Sequence, residues 1–354
     1  LVYQASSRGG IYGGDVQGKL ITGVGQLSHQ IFCQFDSGYQ DATYQGQLGL
    51  QRWDLGKWLA QENLGPASLE LTIDGRGLSL EQMQNQFDLI LTEAEVNGYR
   101  YAPMRWSGSL DQQQLAARGQ MQDPGLTFRS EVALDLRDSL PQWQLSLALD
   151  TLALQALKID STLQGISTEL ALVGQGSDLD NLNLSLDLKD TWLAGSGETY
   201  REPSLAVRLQ GKTQRQKLFT LSSQFLSARL TGECTLADLP LAVENYQRQL
   251  MGLQEDTLRV PEAPVDLDFR VSISQIDRLA QLFVPELTDL DTLSAVGSWH
   301  TEEERLELST FLPHLTYAGF SLDSLDLELL GKGETLSSKL AVARLSSPDL
   351  TEDL

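Results

Sequence analysis

The 354-residue sequence predicts an all-β protein with a few short helices, organised as an elongated sheet of repeated strand–strand–helix–meander modules. Three observations lead to this prediction. Apolar and polar residues alternate strictly in many short stretches, which places the apolar side chains on one face of a strand. Turn signals rich in glycine separate these stretches at short intervals. Helical periodicity is scarce, so the few helices must connect strands rather than form a layer.

The alternation is clearest in five stretches, each of which predicts a strand with one apolar face and one acidic or hydroxylic face. They are residues 132–136, 145–150, 182–189, 265–271 and 325–329. In 182–189, leucine alternates with Asn183, Ser185, Asp187 and Lys189. Much of the charge is therefore expected on the outward face of the strands, where it opposes edge-to-edge aggregation.

Turns and short helices are predicted between the strands. The turns are Asp74-Gly75, Asn97-Gly98, Asp123-Pro124-Gly125 and Gly195-Ser196-Gly197. The helices are near 53–63, 240–252 and 274–283. Pro240 suits the first turn of the second helix, and Pro285 ends the third.

An internal repeat supports the modular organisation. Residues 36–55 match residues 222–241 without gaps, at the offset that relates Gly46 to Gly232, and a helix follows two strands in both copies. A looser match joins 58–99 to 278–320. We divide the chain into a first β-groove module, residues 1–221, and a second module, residues 222–354, continuous with the first. Since such repeats bury little surface alone, we expect an elongated protein. Because no initiator Met and no leader precede the first strand, we also expect the sequence to be a segment of a longer protein.

Composition and charge narrow the class of function. The chain has 26 basic and 48 acidic side chains and a net charge of -22, so nucleic-acid phosphates and anionic bilayers repel it. Its 41% hydrophobic residues, among them 67 leucines, indicate a folded chain. No apolar run approaches the ~20 residues of a membrane span. Cys33 and Cys234 fit one disulfide or two independent buried thiols, and we favour the thiols.

No residue pattern indicates catalysis or a bound metal. The Gly-x-Gly pairs lack the third glycine of a dinucleotide-binding loop, and no Gly-x-Ser-x-Gly elbow, Walker loop or HExxH sequence occurs. His29, His300 and His314 are scattered. The Asp178–Asn181 stretch lacks the glycine and closing glutamate of a calcium loop. We therefore expect no enzymatic activity, no metal and no cofactor.

The apolar face of the strands allows two interpretations. It fills a closed sandwich or barrel core, or it lines an open groove and is itself the functional surface. Leucine outnumbers the aromatic and β-branched residues that lock most sandwich cores, which is an argument for the second interpretation. On that hypothesis, the groove lining is Leu134, Leu136, Leu145, Leu147, Leu149, Leu182, Leu184, Leu186, Leu267, Phe269, Leu325, Leu327 and Leu329.

Three stretches resemble the AsmA-like superfamily, in particular the TamB type (translocation and assembly module) of diderm bacterial envelopes. The first runs from Phe35-Asp36-Ser37 through Gly46 to Asp54-Leu55-Gly56-Lys57-Trp58-Leu59. The second is Gly174 to Leu182, and the third is Leu221 to Gly232 with the helix that follows. With the strands between them, they span most of the chain. The motifs consist of glycines, small residues and leucines, and no catalytic residue can be carried over from them.

This resemblance implies a taco-like β-sheet curled around a hydrophobic groove in the periplasm. It also implies an inner-membrane anchoring helix and a C-terminal region that meets a BamA-class outer-membrane barrel protein, neither recognisable in this sequence. The expected function is non-enzymatic, bridge-like transfer of phospholipid or another acyl lipid between the two membranes. The alternative is a periplasmic assembly factor for outer-membrane proteins that acts by β-augmentation. A solenoid adhesin would have a shorter repeat.

Overall fold

A computed structural model describes residues 1–38, 40–195, 197–211, 213, 215–250, 263–333, 335–347 and 351–353. The chain is mostly antiparallel β-structure, with 67% of residues in strands and 7% in helices. The chain divides into two units, Leu1–Ala171 and Leu172–Leu354, and in each of them the sheet is curled rather than closed into a barrel. The all-β class with a few short helices is therefore confirmed.

Unit 1 is a meander in which each strand pairs antiparallel with the next, except that β7 folds back on β6 and β8 also pairs with β6. Its one helix is α1 (Leu55–Leu59). The strands are β1 (Val2–Gly10), β2 (Gly13–Thr22), β3 (Gly25–Phe35), β4 (Ala42–Asp54), β5 (Leu64–Arg76), β6 (Gln84–Val96), β7 (Tyr99–Tyr101), β8 (Met104–Asp111), β9 (Gln114–Gln122), β10 (Leu126–Asp135) and β11 (Gln142–Leu152). Strand β12 (Gly165–Gln175) crosses the division between the units.

Unit 2 repeats the meander, with β17 paired to β19, and β18 paired to β20. Its helices are α2 (Leu239–Leu250) and α3 (Asp277–Phe283). The strands are β13 (Asn183–Ala194), β14 (Thr199–Gly211), β15 (Gln216–Ser222), β16 (Leu226–Glu233), β17 (Asp266–Ile273), β18 (Leu287–Leu290), β19 (Leu293–His300), β20 (Arg305–Tyr317), β21 (Phe320–Lys332), β22 (Thr335–Ser346) and β23 (Thr351–Asp353).

The five alternating stretches form strands as predicted, on β10, β11, β13, β17 and β21, and only the terminal residues Leu136, Leu182 and Val265 fall just outside their strands. The Asn97-Gly98 turn is confirmed, since both residues have left-handed φ angles of 53° and 72° between β6 and β7. Its counterpart in the looser repeat, Ala318-Gly319, has φ angles of 50° and 81° between β20 and β21. Two successive left-handed residues give the hairpin turn whose twist matches that of the flanking strands.

The turn predicted at Asp74-Gly75 is wrong. Both residues lie inside β5, where Gly75 pairs with Tyr44 on one side and with Asn85 on the other. Hydrogen bonding to a neighbouring strand on each side of β5 outweighs the preference of the Asp-Gly dipeptide for a turn. The chain turns only at Gly77, whose φ is +91°. The turn at Asp123–Gly125 is confirmed between β9 and β10. The predicted turn at 195–197 lies in part outside the described residues.

All three helices form. The first and third are shorter than predicted, and the second begins at Leu239, one residue earlier than predicted. The first begins at Leu55 because the Asp54 carboxylate accepts a hydrogen bond from the Lys57 amide, at 3.0 Å, and so caps the helix. Residues 251 and 252 of the second predicted helix lie outside the described residues. The third begins at Asp277 and stops just before Pro285.

The repeated segments share the same local order of turn, strand and helix. In the first copy, the Asp36 carboxylate accepts from the Gln40 and Asp41 amides before β4 and α1. In the second, the Ser223 hydroxyl accepts from the Leu226 amide before β16 and α2. The module boundary between 221 and 222 rests on this repetition and stays a prediction.

The cysteines and the lengths of the helices were also subjects of prediction. Cys33 and Cys234 are free thiols, the first partly exposed and the second buried. In the part of the chain that the structure describes, no helix is both long and apolar enough to span a membrane.

Candidate apolar groove

The candidate site is the leucine-rich face of each unit, here called the apolar face. In antiparallel strands, residues directly opposite each other share a face, so the strand register shows which side chains lie side by side. In unit 1, one row of the apolar face crosses nine neighbouring strands. It consists of Leu20, Leu27, Leu50, Leu69, Leu91, Met104, Met121, Phe128 and Leu149, each opposite the next.

Unit 2 has rows of the same kind. One contains Leu184, Leu209, Phe219, Leu230, Phe269, Gly297, Leu308, Leu329 and Ser338, each opposite the next. The adjacent row contains Leu186, Val207, Leu221, Ala228, Val271, Ala295, Thr310, Leu327 and Leu340. Neighbouring strands lie about 4.8 Å apart, so a row across nine strands is about 38 Å long, measured along the sheet.

The structure brings most of the predicted lining residues together within each unit. In unit 1, Leu134 lies opposite Trp143, Leu145 opposite Val132, and Leu147 opposite Ser130. Leu149 belongs to the row described above. Leu136 lies beyond the end of β10 and is exposed.

In unit 2, Leu184, Leu186, Phe269, Leu327 and Leu329 lie in the two rows described above. The remaining members of the predicted set are close to these rows. Leu182 directly precedes β13, Leu267 lies opposite Trp299, and Leu325 lies opposite Leu312 and Val342.

Sequence reasoning missed many members of the apolar face. Leu69 and Leu71 lie in an alternating stretch that resembles the five chosen ones, and that signal was available. Leu89 and Leu91 were obscured because the outward residue between them is Ile90. Glycine and serine positions in the rows carry no apolar signal, so only the register can place them there.

Charged side chains occupy the opposite face. Arg118 pairs with Glu131 at 3.0 Å, and Arg208 pairs with Asp187 at 2.6 Å. A hydrogen-bonded polar ladder also crosses this face in unit 1, where Gln84 accepts from Arg76 and donates to Asp111 at 2.8 Å. The prediction that charge lies on the outward face is therefore confirmed for these residues.

Polar and ionisable groups also lie on the apolar face. His29 lies between Gly18 and Leu48, and its Nε2 is 3.2 Å from the Tyr3 hydroxyl. Lys217 lies on the corresponding face of unit 2, buried at its margin, and donates to the Asp180 carbonyl oxygen. Leucines still make up most of the rows, so the surface as a whole is suited to contact with hydrocarbon.

Two short helices pack against the strands of unit 2. Helix α2 packs through Ala242 onto Leu267 and Trp299, and the Tyr246 ring lies 5.9 Å from the Trp299 ring. Helix α3 contacts β14 and β18 and buries Ala280 and Leu282. Few members of the rows of Leu184 and Leu186 are fully buried.

A polar cluster closes one margin in unit 1. The buried Asp123 carboxylate accepts from the Tyr99 hydroxyl and from the amides of Ala102 and Gly125, both at 2.8 Å. Burial raises the pKa of this carboxyl, but the hydrogen bonds outweigh burial and hold the pKa below its usual value. Leu157 packs beside Gly125 and is 1% exposed.

Solvent exposure distinguishes an open face from a closed core. Of the nine residues in the unit 1 row, Met121 is buried and the others are partly exposed. Among the predicted lining residues only Leu267 is buried. The chain exposes 21580 Å², whereas two separate compact domains that shared its 39.1 kDa would expose about 17,000 Å². The apolar side chains are therefore covered less than those of a sandwich core.

Two histidines and an aspartate of unit 2 form local contacts. His300 Nδ1 lies 2.7 Å from Asp266, and His314 Nδ1 lies 2.5 Å from Asp323. The Asp178 carboxylate accepts from the amides of Asp180 and Asn181, as in a turn. Among the described residues, no group of three or more His, Cys, Asp or Glu side chains is arranged to hold a metal ion.

No protein-family model, no curated protein and no solved structure matches this chain.

Proposed function

We propose that the protein transfers lipid without catalysing a reaction, by shielding acyl chains along the apolar face between the inner and outer membranes. The observation that carries this proposal is a leucine-rich surface, about 38 Å long in each unit, whose side chains are partly exposed. The resemblance to TamB-type proteins supports a periplasmic location and a BamA-class partner.

Energetics favour an acyl ligand. Exposing a tail of about fifteen methylenes to water costs about 12 kcal/mol at 0.8 kcal/mol for each CH₂. Rows of aliphatic side chains recover part of this without specific contacts, since apolar association is non-directional. Phosphate or sugar headgroups would remain in water at the open side. The charged outward face keeps such a surface soluble.

The first test is extraction of the purified protein with organic solvent and mass spectrometry of the extract. We expect phospholipid or another acyl lipid in the extract of protein purified without detergent. A photo-crosslinking residue at Leu186 should capture lipid, whereas one at Asp187, which lies next to it on the outward face, should not. Equal capture at both positions, or protein free of lipid, would contradict the proposal.

A second candidate function is assembly of outer-membrane proteins by β-augmentation. Strand β1 favours it: the nine residues of β1 are all exposed, contain no proline or lysine and, within the described residues, pair only with β2. An unprotected strand of this kind accepts a further strand. A photo-crosslinker at Ser6 should then capture an unfolded barrel protein. Capture of such a protein at Ser6, together with no capture of lipid at Leu186, would favour this function.

A further inference from the structure

Aromatic rings on the apolar face lie directly opposite glycines of the next paired strand. In unit 1, Phe87 lies opposite Gly108, and Trp106 lies opposite Gly119. In unit 2, Phe269 lies opposite Gly297. The same arrangement in both units indicates a shared structural requirement.

The rings occupy the space that a glycine side chain would fill. A Cβ atom added to Gly119 would lie 2.5 Å from Trp106 Cε2, and one added to Gly297 would lie 2.5 Å from Phe269 Cζ. A Cβ atom on Gly108 would lie 2.8 Å from Phe87 Cζ. Each ring therefore lies across the backbone of the neighbouring strand, in contact with its glycine, instead of rising from the sheet.

We propose that these aromatic–glycine pairs set the depth of the groove, and that the glycines are residues that determine whether an acyl chain fits. A ring that lies on the sheet provides apolar contact while leaving room above it. If the glycine gains a side chain, the ring must rotate away from the sheet into that room. This inference rests on the proposed lipid function and specifies which positions control it.

Gly119 is the best position for a test. The atoms nearest to an added Cβ are in the Trp106 side chain and the Ser130 hydroxyl, so the side chains can give way. At Gly108 and Gly297 the added atom would also lie 2.3 Å from a backbone carbonyl oxygen, and a substitution there would distort the sheet itself. Gly119→Ala therefore moves the indole ring with the least disturbance of the backbone.

The experiment compares Gly119→Ala with three other variants. Gly46→Ala adds the same methyl group on the same face, where its neighbours are Ile31 and Ile73 side-chain atoms at 3.4 Å and no ring is displaced. Gly23→Ala adds a methyl group where nothing lies within 4 Å, and serves as the folding control. The double variant Gly119→Ala/Trp106→Leu removes the ring that obstructs the groove.

Two measurements are made on each variant of the chain. Lipid bound per protein is measured by mass spectrometry after purification from the same cells. Ring position is measured separately, from the ring-current shift of the residue 119 amide and the emission maximum of the tryptophans. Loss of contact with one or two methylenes predicts a loss of lipid of about four- to fifteen-fold in Gly119→Ala. Gly46→Ala should lose much less, and the double variant should recover lipid.

The outcomes are distinguishable. If Gly119→Ala displaces the ring but holds as much lipid as the unmodified protein, the inference is overturned while the lipid function stands. If the ring does not move, the inference is also overturned, since its geometric premise fails. If the unmodified protein itself carries no lipid, the proposed function fails, and the ring-current measurement still reports on the geometry.

Discussion

Replacement of Leu147 by arginine separates an open apolar face from a closed core. Leu147 lies on β11 opposite Ser130 and is partly exposed. On an open face the guanidinium reaches water, so the cost is the lost contact of a half-buried leucine, about 1 kcal/mol. For a domain of this size, that cost lowers the melting temperature by about 2–4 °C.

A closed core gives a different magnitude. An unpaired arginine there would cost about 3–5 kcal/mol, and the melting temperature would fall by about 6–20 °C. The neighbouring variant Ser146→Arg is the matched control, because Ser146 is exposed on the outward face opposite Glu131. It should change stability by less than about 0.5 kcal/mol.

The assay is thermal unfolding by circular dichroism, with lipid content measured on the same samples. We expect Leu147→Arg to melt a few degrees lower and to lose lipid, and Ser146→Arg to do neither. Leu184→Arg should behave in unit 2 as Leu147→Arg does in unit 1. A fall of about 6 °C or more for Leu147→Arg would refute the open face, and retained lipid in a folded variant would refute its function.

Four further predictions concern stability and reactivity. Asp123→Ala should destabilise the protein by about 2–3 kcal/mol, because hydrogen bonds to a buried carboxylate are lost; chemical denaturation checks this. Folding lowers the pKa of Asp123 from 3.8, so the stability that its charged carboxylate contributes is present above about pH 4 and is lost as pH falls through the lower folded-state pKa. The unmodified protein and the Asp123→Asn variant should therefore converge in free energy of unfolding in acid. Cys234 is buried, and burial raises the pKa of its thiol, so a thiol reagent should label the partly exposed Cys33 much faster than Cys234. In denaturant the two labelling rates should become equal. Gly232→Ala should lower the free energy of unfolding by at least about 2 kcal/mol, since Gly232 has a φ of +149° and an added Cβ would lie 2.0 Å from the Asp266 carbonyl oxygen. The variant should therefore be mostly unfolded at the denaturant concentration at which the unmodified protein is half unfolded.

Local patterns predicted the strands and their faces well. The leucines of β13 alternate with polar residues, and alternation alone fixes which side chains share a face. The Asp54 cap and Pro285 also act locally, so the helices formed close to their predicted positions. The prediction failed at Asp74-Gly75, where strand pairing on both sides overrides the preference of a dipeptide for a turn.

The sequence by itself determined that this protein has one leucine-rich face and one charged face, because side-chain direction along a strand follows from a period of two. Only the tertiary structure decided which leucines lie side by side and that rings lie across glycines, since both depend on the register between strands distant in sequence. Solvent exposure of the apolar face was likewise decided there. The curvature of the sheet and the extent to which its apolar face is covered are properties of the folded sheet. A pattern within one strand contains no information about either.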